Sequence, residues 1–147
     1  MIPIFTWAQN NLGLEVRTNR FDVYSQVFFE HELKENQSIT MALGCGTRAT
    51  FAARTVHPSL NLRYNYTYFQ GERIRAIIGA NTFSSLLPVG KKNSTFYNEI
   101  GTHTGVAIGG SLLYHVNIGC SVGAESSPGG TQAYFNAHLN MGLSYAF

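Results

Sequence analysis

The sequence predicts an all-β protein in which about eight antiparallel strands run up and down and close into one barrel. Apolar and polar residues alternate with period two through most of the chain, which is typical of strands with one apolar and one polar face. Short segments rich in Gly, Pro, Asn and Ser separate the alternating stretches. No apolar run approaches the roughly 18 residues that a membrane-spanning helix needs.

The last alternating stretch is the clearest. Every odd position from Ala133 to Phe147 is apolar, and every even position from Asn136 to Ala146 is polar or small. A chain of 147 residues has the length of one domain, so one barrel spanning residues 1–147 is predicted. The alternation predicts strands over residues 12–17, 21–33, 39–51, 60–68, 74–82, 104–114, 116–125 and 132–147.

The first eight residues, Met1 to Ala8, allow two interpretations. Thr6 and Ala8 occupy the positions of small residues at the end of a signal peptide, but a basic n-region and a full apolar h-region are missing. Alternatively, residues 2–7 are ordered chain that begins the first strand. Both interpretations stay open.

The connections predict two different barrel ends. Those after the second, fourth and sixth strands are tight, whereas those after the third, fifth and seventh are longer and richer in Gly, Pro, Ser and Lys. Alternate connections of an up-and-down barrel lie at the same end, so one end carries short turns and the other longer loops. The predicted longer loops are residues 52–58, 84–99 and 126–131.

Composition favours a transmembrane barrel with its apolar face outside. Charged residues are 12% of the chain and aromatic residues 13%. The polar face carries Gly, Asn, Ser and Thr with few lysines, which suits a crowded interior better than a solvated surface. A soluble lipocalin-like ligand-binding barrel has the same alternation with its apolar face inward, and is the alternative. Aromatic residues lie at strand ends on the apolar face, as in membrane girdles: Phe21, Phe51, Tyr68, Tyr114, Tyr145 and Phe147.

Charged residues of both signs fall on the polar face. Because buried charges need partners, the sequence predicts an internal network of carboxylates and guanidinium groups; ordinary solvated surface charges are the alternative. The predicted members are Glu15, Glu30, Glu32, Arg48, Arg63, Arg75 and Glu125.

The chain ends in a row of alternating apolar residues: Leu139, Met141, Leu143, Tyr145 and Phe147. With the eight-strand pattern, this row resembles the small bacterial outer-membrane barrels of the OmpA transmembrane-domain and OmpX kind, whose C-terminal signal the barrel-assembly machinery recognises. Asn140 and Gly142 also match the signal of mitochondrial barrels, which are far longer proteins. The resemblance implies a bacterial outer-membrane location, with outer-membrane lipid, lipopolysaccharide, the assembly machinery and other outer-membrane proteins as partners.

The histidines carry no clear catalytic pattern. His103 and Ser111 fall on the polar face of the predicted sixth strand, and His138 and Asn140 on that of the last. A hydrolase nucleophile needs a base within reach and an acidic group that orients the base, and no such set is evident. We therefore expect no enzyme and no cofactor, with a lipid A-modifying hydrolase as the less favoured alternative.

The remaining histidines and the cysteines point to structural roles. His57 and His115 are predicted to lie in connections. Cys45 and Cys120 fall on strands that the predicted order places several strands apart, which predicts free thiols; a bridge or a metal role is the alternative. No Cys or His spacing indicates a metal site.

Three function classes follow. The favoured one is a non-enzymatic outer-membrane barrel with a structural or surface-interaction role through its longer loops, and with a lumen filled by side chains instead of an open pore. The others are an accessory subunit of a larger outer-membrane transport or secretion complex and the soluble lipocalin-like barrel. A net charge of +2 without a basic cluster argues against binding of nucleic acid.

Arg in place of Leu62 or Met141 is predicted to block insertion into the membrane, whereas Arg in place of Asn61 on the opposite face is predicted to be tolerated better.

Overall fold

The computed structural model describes residues 10–20, 22–49, 54–89 and 93–147. Each strand pairs antiparallel with its neighbours in the chain, and the last strand pairs with the first, so the sheet closes into a barrel. The predicted fold class, an all-β up-and-down barrel of eight strands, is confirmed. The strands are β1 (Asn10–Thr18), β2 (Val23–Lys34), β3 (Gln37–Ala49), β4 (Arg54–Gln70), β5 (Ile74–Val89), β6 (Asn93–Gly109), β7 (Leu112–Ser127) and β8 (Gly130–Ala146).

The described residues contain no helix with the length and apolar character needed to cross a membrane.

Burial shows which face of the barrel points outward. Along β7 the exposed side chains are mostly apolar from Leu112 to Val122, and the buried ones between them are mostly polar, such as His115 and Asn117. The same sense holds in β1, which exposes three aliphatic residues and buries its charged ones. The apolar face is therefore the outer face, and the lipocalin-like alternative, which needs that face inside, is wrong.

The two ends of the barrel differ in strand length. One end, called the terminal end here, carries Asn10, Phe147 and the turns that follow β2, β4 and β6. The opposite end, called the projecting end, carries the other four connections. β1 stops at Thr18, which faces Leu139 of β8, and β8 extends a further nine residues, 130–138, toward the projecting end. β7 pairs with β8 along this whole stretch, so the sheet extends well beyond β1.

The predicted long loops are largely strand. β5 continues to Val89 and β6 begins at Asn93, so most of the predicted 84–99 loop is wrong, and strand also covers most of the predicted 52–58 and 126–131 loops. The period-two alternation persists in β5 and β6, but its polarity changes toward the projecting end. There Phe83 and Tyr97 point inward and Asn98 points outward. The predicted difference in loop length is replaced by a difference in strand length.

The β6–β7 turn is also displaced from its predicted place. It lies at residues 110–111, directly after Gly109, whose φ of 142° is accessible to glycine and strained for other residues. The predicted turn near His115 is wrong, because the alternation keeps the same phase on both sides of the two-residue turn. Residues 1–8, Phe21 and Phe51 lie outside the described residues.

Four exposed aromatic side chains lie at the terminal end of the outer face. Tyr68, Tyr114 and Tyr145 stand next to turns or the C-terminus, and Phe147 ends the chain; each is about 60% exposed. Aromatic rings in such positions form the girdles at the lipid–water boundary of membrane barrels. The cysteines predicted to be free, Cys45 on β3 and Cys120 on β7, are unpaired and exposed on the outer face.

Candidate functional site: the lumen and the projecting end

The lumen holds charged side chains that pair across the barrel. Arg63 Nη1 on β4 donates a hydrogen bond to Glu15 Oε2 on β1 at 2.7 Å, and His115 Nε2 on β7 lies 3.3 Å from the same oxygen. Both partners of the Arg63–Glu15 pair are at most 3% exposed through their side chains. An unpaired charge at this depth would be costly, so the partners hold one another in place.

A second group of charges lies nearer the terminal end. Arg75 Nη2 on β5 donates to both carboxylate oxygens of Glu30 on β2, at 3.1 and 2.9 Å. Ser38 and Asn11 donate to the same carboxylate at 2.6 and 2.8 Å. The Arg75 guanidinium also lies 3.7 Å from Glu32, which is only partly buried. Asn65 on β4 donates to this carboxylate as well, at 3.3 Å, so Glu30 joins the five strands β1 to β5.

The other two predicted network members are Arg48 and Glu125. The Arg48 side chain lies outside the described residues. Glu125 is half-buried on β7, where the Tyr97 hydroxyl lies 3.5 Å from its Oε1. The structure thus brings together Glu15 with Arg63, and Glu30 and Glu32 with Arg75.

A third ion pair was not predicted from the sequence. Arg17 Nη2 on β1 lies 3.2 Å from Glu99 Oε2 on β6, and the side chains of both residues are fully buried. Ser121, Asn136 and Tyr134 donate to the Glu99 carboxylate at 2.9, 2.8 and 3.2 Å. Arg17 falls on the polar face by its position in the alternation, but Glu99 was predicted to lie in a loop.

Each lumen histidine faces a glycine directly across the neighbouring strand. The pairs are His57 with Gly46, His103 with Gly79, His115 with Gly142 and His138 with Gly119. An eight-stranded barrel has an interior just wide enough for side chains, so a bulky imidazole needs a neighbour without a side chain. The prediction that His57 and His115 lie in connections is wrong. His57 lies in β4 and His115 in β7, and each has a glycine partner on the neighbouring strand.

Filling one of these glycine positions is expected to destabilise the barrel. In a Gly119→Val protein, the new Cβ would collide with the Thr102 carbonyl oxygen and lie 2.5 Å from His138 Nε2. We expect the free energy of unfolding, measured by urea titration in lipid vesicles, to fall by about 1–3 kcal/mol, the usual cost of overpacking. Gly110→Ala is the control, because nothing lies within 4 Å of that position. Equal effects of the two changes would contradict this account of lumen packing.

The candidate hydrolase residues are not brought together. Ser111 is exposed in the β6–β7 turn, so the prediction that it shares the polar face of one strand with His103 is wrong. His103 Nε2 lies 2.8 Å from the Asn65 side-chain oxygen, and the two ring nitrogens of His138 have no hydrogen-bond partner in the described part of the chain. His138 and Asn140 share the buried face of β8. Within the described residues, no group of three His, Cys, Asp or Glu side chains is arranged to hold a metal ion.

The lumen contains a small cavity between the first two charge clusters, lined by both polar and apolar side chains. Its volume is about 30 Å³, enough for one or two water molecules. Its lining includes Phe28, Glu30, Arg63, Arg75 and Asn117. The cavity can hold water against the ion pairs, but it is too small for a drug-sized or lipid ligand.

The residues of the predicted C-terminal signal lie on the outer face of β8. Met141, Leu143, Tyr145 and Phe147 are between 39% and 60% exposed, and Leu139 is half-buried. The Phe147 N–H donates to the Asn10 carbonyl at 3.0 Å, which ties the chain terminus to β1. The aromatic ring of Phe147 is 60% exposed and does not pack in the interior. Recognition of this segment by the assembly machinery stays a prediction.

Comparison with known proteins gives one structural likeness. No family model and no curated protein sequence matches the chain. Among solved structures, the chain is similar to Ail, the attachment invasion locus protein of Yersinia pestis, with a TM-score of 0.48 and 10% sequence identity. The match covers 94% of this chain and 96% of that chain. The fold described above rests on the chain's own strand pairing.

Proposed function

We propose that this chain is a non-enzymatic integral protein of the bacterial outer membrane, with a lumen closed by side chains and an interaction surface at its projecting end. The observation that carries the proposal is the polarity of the barrel: an apolar outer face around a buried, charge-paired interior. β7 presents apolar side chains from Leu112 to Val122, eleven residues, and about 9–11 residues suffice for a tilted strand to cross the hydrocarbon.

The lumen supports a structural role in preference to conduction. The Arg17–Glu99 and Arg63–Glu15 pairs join side chains from opposite parts of the ring, and large residues such as Phe28 and Phe83 fill space beside them. The Arg17 guanidinium stacks on the Phe83 ring at 4.4 Å from its centroid. A barrel with so crowded an interior has its available binding surface on its ends.

Behaviour in detergent tests the membrane location. After refolding in detergent, the protein is expected to migrate differently on a gel before and after heating, because a closed barrel resists the detergent until it is heated. The same chain is expected to aggregate in plain buffer, since its outer face exposes residues such as Leu14, Val27 and Ile100 at 52–65%. A soluble monomer in plain buffer would contradict the proposal.

Labelling of introduced cysteines tests which end faces outward. In a protein with Cys45 and Cys120 replaced by Ala, Ser127→Cys places a thiol at the exposed projecting end, and Glu35→Cys places one at the terminal end. A membrane-impermeant maleimide is expected to label Ser127→Cys in intact Gram-negative cells and Glu35→Cys only after the outer membrane is permeabilised. The reverse pattern would exclude the projecting end as the outer surface.

Removal of the last residue tests the proposed assembly signal. Deletion of Phe147 is expected to lower the amount of barrel assembled in a Gram-negative outer membrane severalfold, while refolding in detergent continues, because the ring is 60% exposed and stabilises no core. Phe147→Tyr is the control and is expected to assemble normally, since it keeps a terminal aromatic ring. Normal assembly of the deletion protein in cells would refute the signal.

A further inference from the structure

β8 has an open main-chain edge at the projecting end. Because β1 ends at Thr18, which faces Leu139, residues 130–138 of β8 pair with β7 on one side and have no β1 partner on the other. The stretch corresponds to about 30 Å of strand. An edge of this kind presents N–H and C=O groups that a further strand can pair with.

Two main-chain hydrogen bonds establish which residues of β8 face the open edge. The Phe147 N–H donates to Asn10 of β1, and the Ala146 N–H donates to Ser111 on the β7 side, at 3.0 and 2.8 Å. The direction of main-chain groups alternates along a strand without a bulge, so odd-numbered residues of β8 face the β1 side. Thr131 and Ala133 therefore direct their N–H and C=O groups to the open edge, and nothing in the described ranges pairs with them there.

The open edge of β8 ends near Phe135, on the side toward the terminal end of the barrel. Arg20, in the β1–β2 connection, donates from Nη1 to the Phe135 carbonyl at 3.4 Å, and from its main-chain N–H to the Asn136 side chain at 3.2 Å. The connection thus closes the gap between β1 and β8 at that level. From Phe135 toward Gly130, the edge continues through four uncharged residues: Tyr134, Ala133, Gln132 and Thr131.

A second opening in the projecting sheet is blocked by prolines. The pairing of β4 with β5 ends at Ser59 and Ser85, so both strands have open edges beyond that point. The hydrogen bond from Thr67 to Asn36 places the even-numbered residues of β4 toward β5, which include Pro58. The bond from Gly109 to Arg73 likewise places even-numbered residues of β5 toward β4, which include Pro88. Both prolines therefore lack a donor at the opening, a common protection against strand addition.

We propose that the β8 edge from Gly130 to Phe135 binds an extended segment of another polypeptide, which adds as an antiparallel strand in the place that β1 leaves beyond Thr18. The proposal rests on the proposed function, since it assigns a partner class to the projecting end. The β8 edge offers the unpaired main-chain groups of Thr131 and Ala133, and it contains no proline, unlike the β4–β5 opening. Main-chain pairing gives such a site its affinity, and alternate side chains give its specificity.

The partner is expected to be a different chain. Two copies inserted in one membrane have the same orientation, so their β8 strands cross the membrane in the same sense and cannot pair antiparallel. The partner segment should place a β-branched or aromatic residue beside Phe135, whose outward-facing ring is 63% exposed, because such cross-strand pairs stabilise a sheet.

Amide hydrogen exchange on the refolded full chain in detergent micelles tests the proposal. The probe is a soluble peptide of about nine residues, alternating Thr and Val between terminal lysines, which has high strand propensity and a repeating main-chain donor pattern. At a peptide concentration about ten times its Kd, exchange of the Thr131 and Ala133 amides is expected to slow about tenfold. The Gln132 amide, which faces β7, should change little.

Matched variants separate strand addition from other binding. Ala133→Pro removes the edge-facing N–H and is expected to abolish the slowing at Thr131, while the barrel stays heat-modifiable because no described residue accepts from that N–H. Ala133→Val keeps the N–H and is expected to retain the effect. If the peptide, at up to about 1 mM, slows neither amide, or slows Thr131 equally in Ala133→Pro, the strand-addition proposal is wrong even though the barrel is intact. Loss of heat-modifiable refolding in the unaltered chain would instead refute the proposed function.

Discussion

Replacing Arg63 by Met is expected to lower the free energy of unfolding by about 3–5 kcal/mol, because it leaves the buried carboxylate of Glu15 without its guanidinium partner. Arg63 Nη1 lies 2.7 Å from Glu15 Oε2, and both side chains are almost fully buried. His115 lies 3.3 Å from the same oxygen but cannot replace a permanent cation. Urea titration of the protein folded in lipid vesicles measures the change.

The double replacement Arg63→Met with Glu15→Gln is the informative companion. It removes both charges, and replacement of a whole buried pair is often close to neutral. We therefore expect most of the lost stability to return. Arg73→Met, in the exposed β4–β5 turn, is the control and should change stability by less than about 0.5 kcal/mol. A double variant as unstable as Arg63→Met alone would show that shape, not charge pairing, dominates at this site.

Replacing Ile118 by Arg is expected to destabilise the membrane-embedded barrel by about 2–4 kcal/mol, the cost of a cation near the bilayer midplane. Ile118 is 61% exposed and lies near the middle of the apolar stretch of β7. Vesicle unfolding experiments measure the loss, and the amount of heat-modifiable barrel in cells gives a second readout.

Leu112→Arg is the matched control on the same strand and the same face. Leu112 is 53% exposed beside the β6–β7 turn, where the charge reaches the aqueous boundary, so we expect a cost of about 0–1 kcal/mol. Equal damage at both positions would show that depth in a membrane does not decide the effect. Such a result would count against the outer-membrane proposal.

The structure bears on the control substitution that the sequence suggested, which is Arg in place of Asn61 on the lumen face. Asn61 lies on the polar face as predicted, and Arg at this position was predicted to be tolerated better than Arg on the apolar face. Its side chain is fully buried, and neither its side-chain oxygen nor its nitrogen has a hydrogen-bond partner in the described part of the chain. An arginine side chain is longer and charged, so it would need additional space and a carboxylate partner inside the lumen. The choice of face is thus insufficient to predict tolerance inside a filled barrel.

The local pattern predicted the strands well where the outer face is apolar. β8 and the middle of β7 were placed correctly because every second residue is apolar over ten or more positions. The prediction failed toward the projecting end, where Phe83 and Tyr97 turn inward and Ser84 and Asn98 turn outward. The prediction assumed that the apolar residues of a strand stay on the same face along its whole length. Where the apolar and polar residues exchange faces, it therefore assigned a loop.

The candidate site was predicted in part for a related reason. Glu15, Glu30, Arg63 and Arg75 were recognised as lumen charges from their position in the alternation, although their partners could not be assigned. Arg17 and Glu99 are 82 residues apart in the chain and meet only because the barrel is closed. No local signal connects them.

The sequence by itself predicted the number and order of the strands, and the two faces of those strands whose outer residues are apolar, because alternation with period two is a local property of the chain. The tertiary structure decided which face points outward, which charges pair and where β8 is left without a neighbour. These features depend on the register at which β8 meets β1, and that register places Thr18 opposite Leu139 and leaves Gly130 to Phe135 beyond the end of β1. Closure of the barrel, a property of all eight strands together, therefore creates both the lumen network and the open edge.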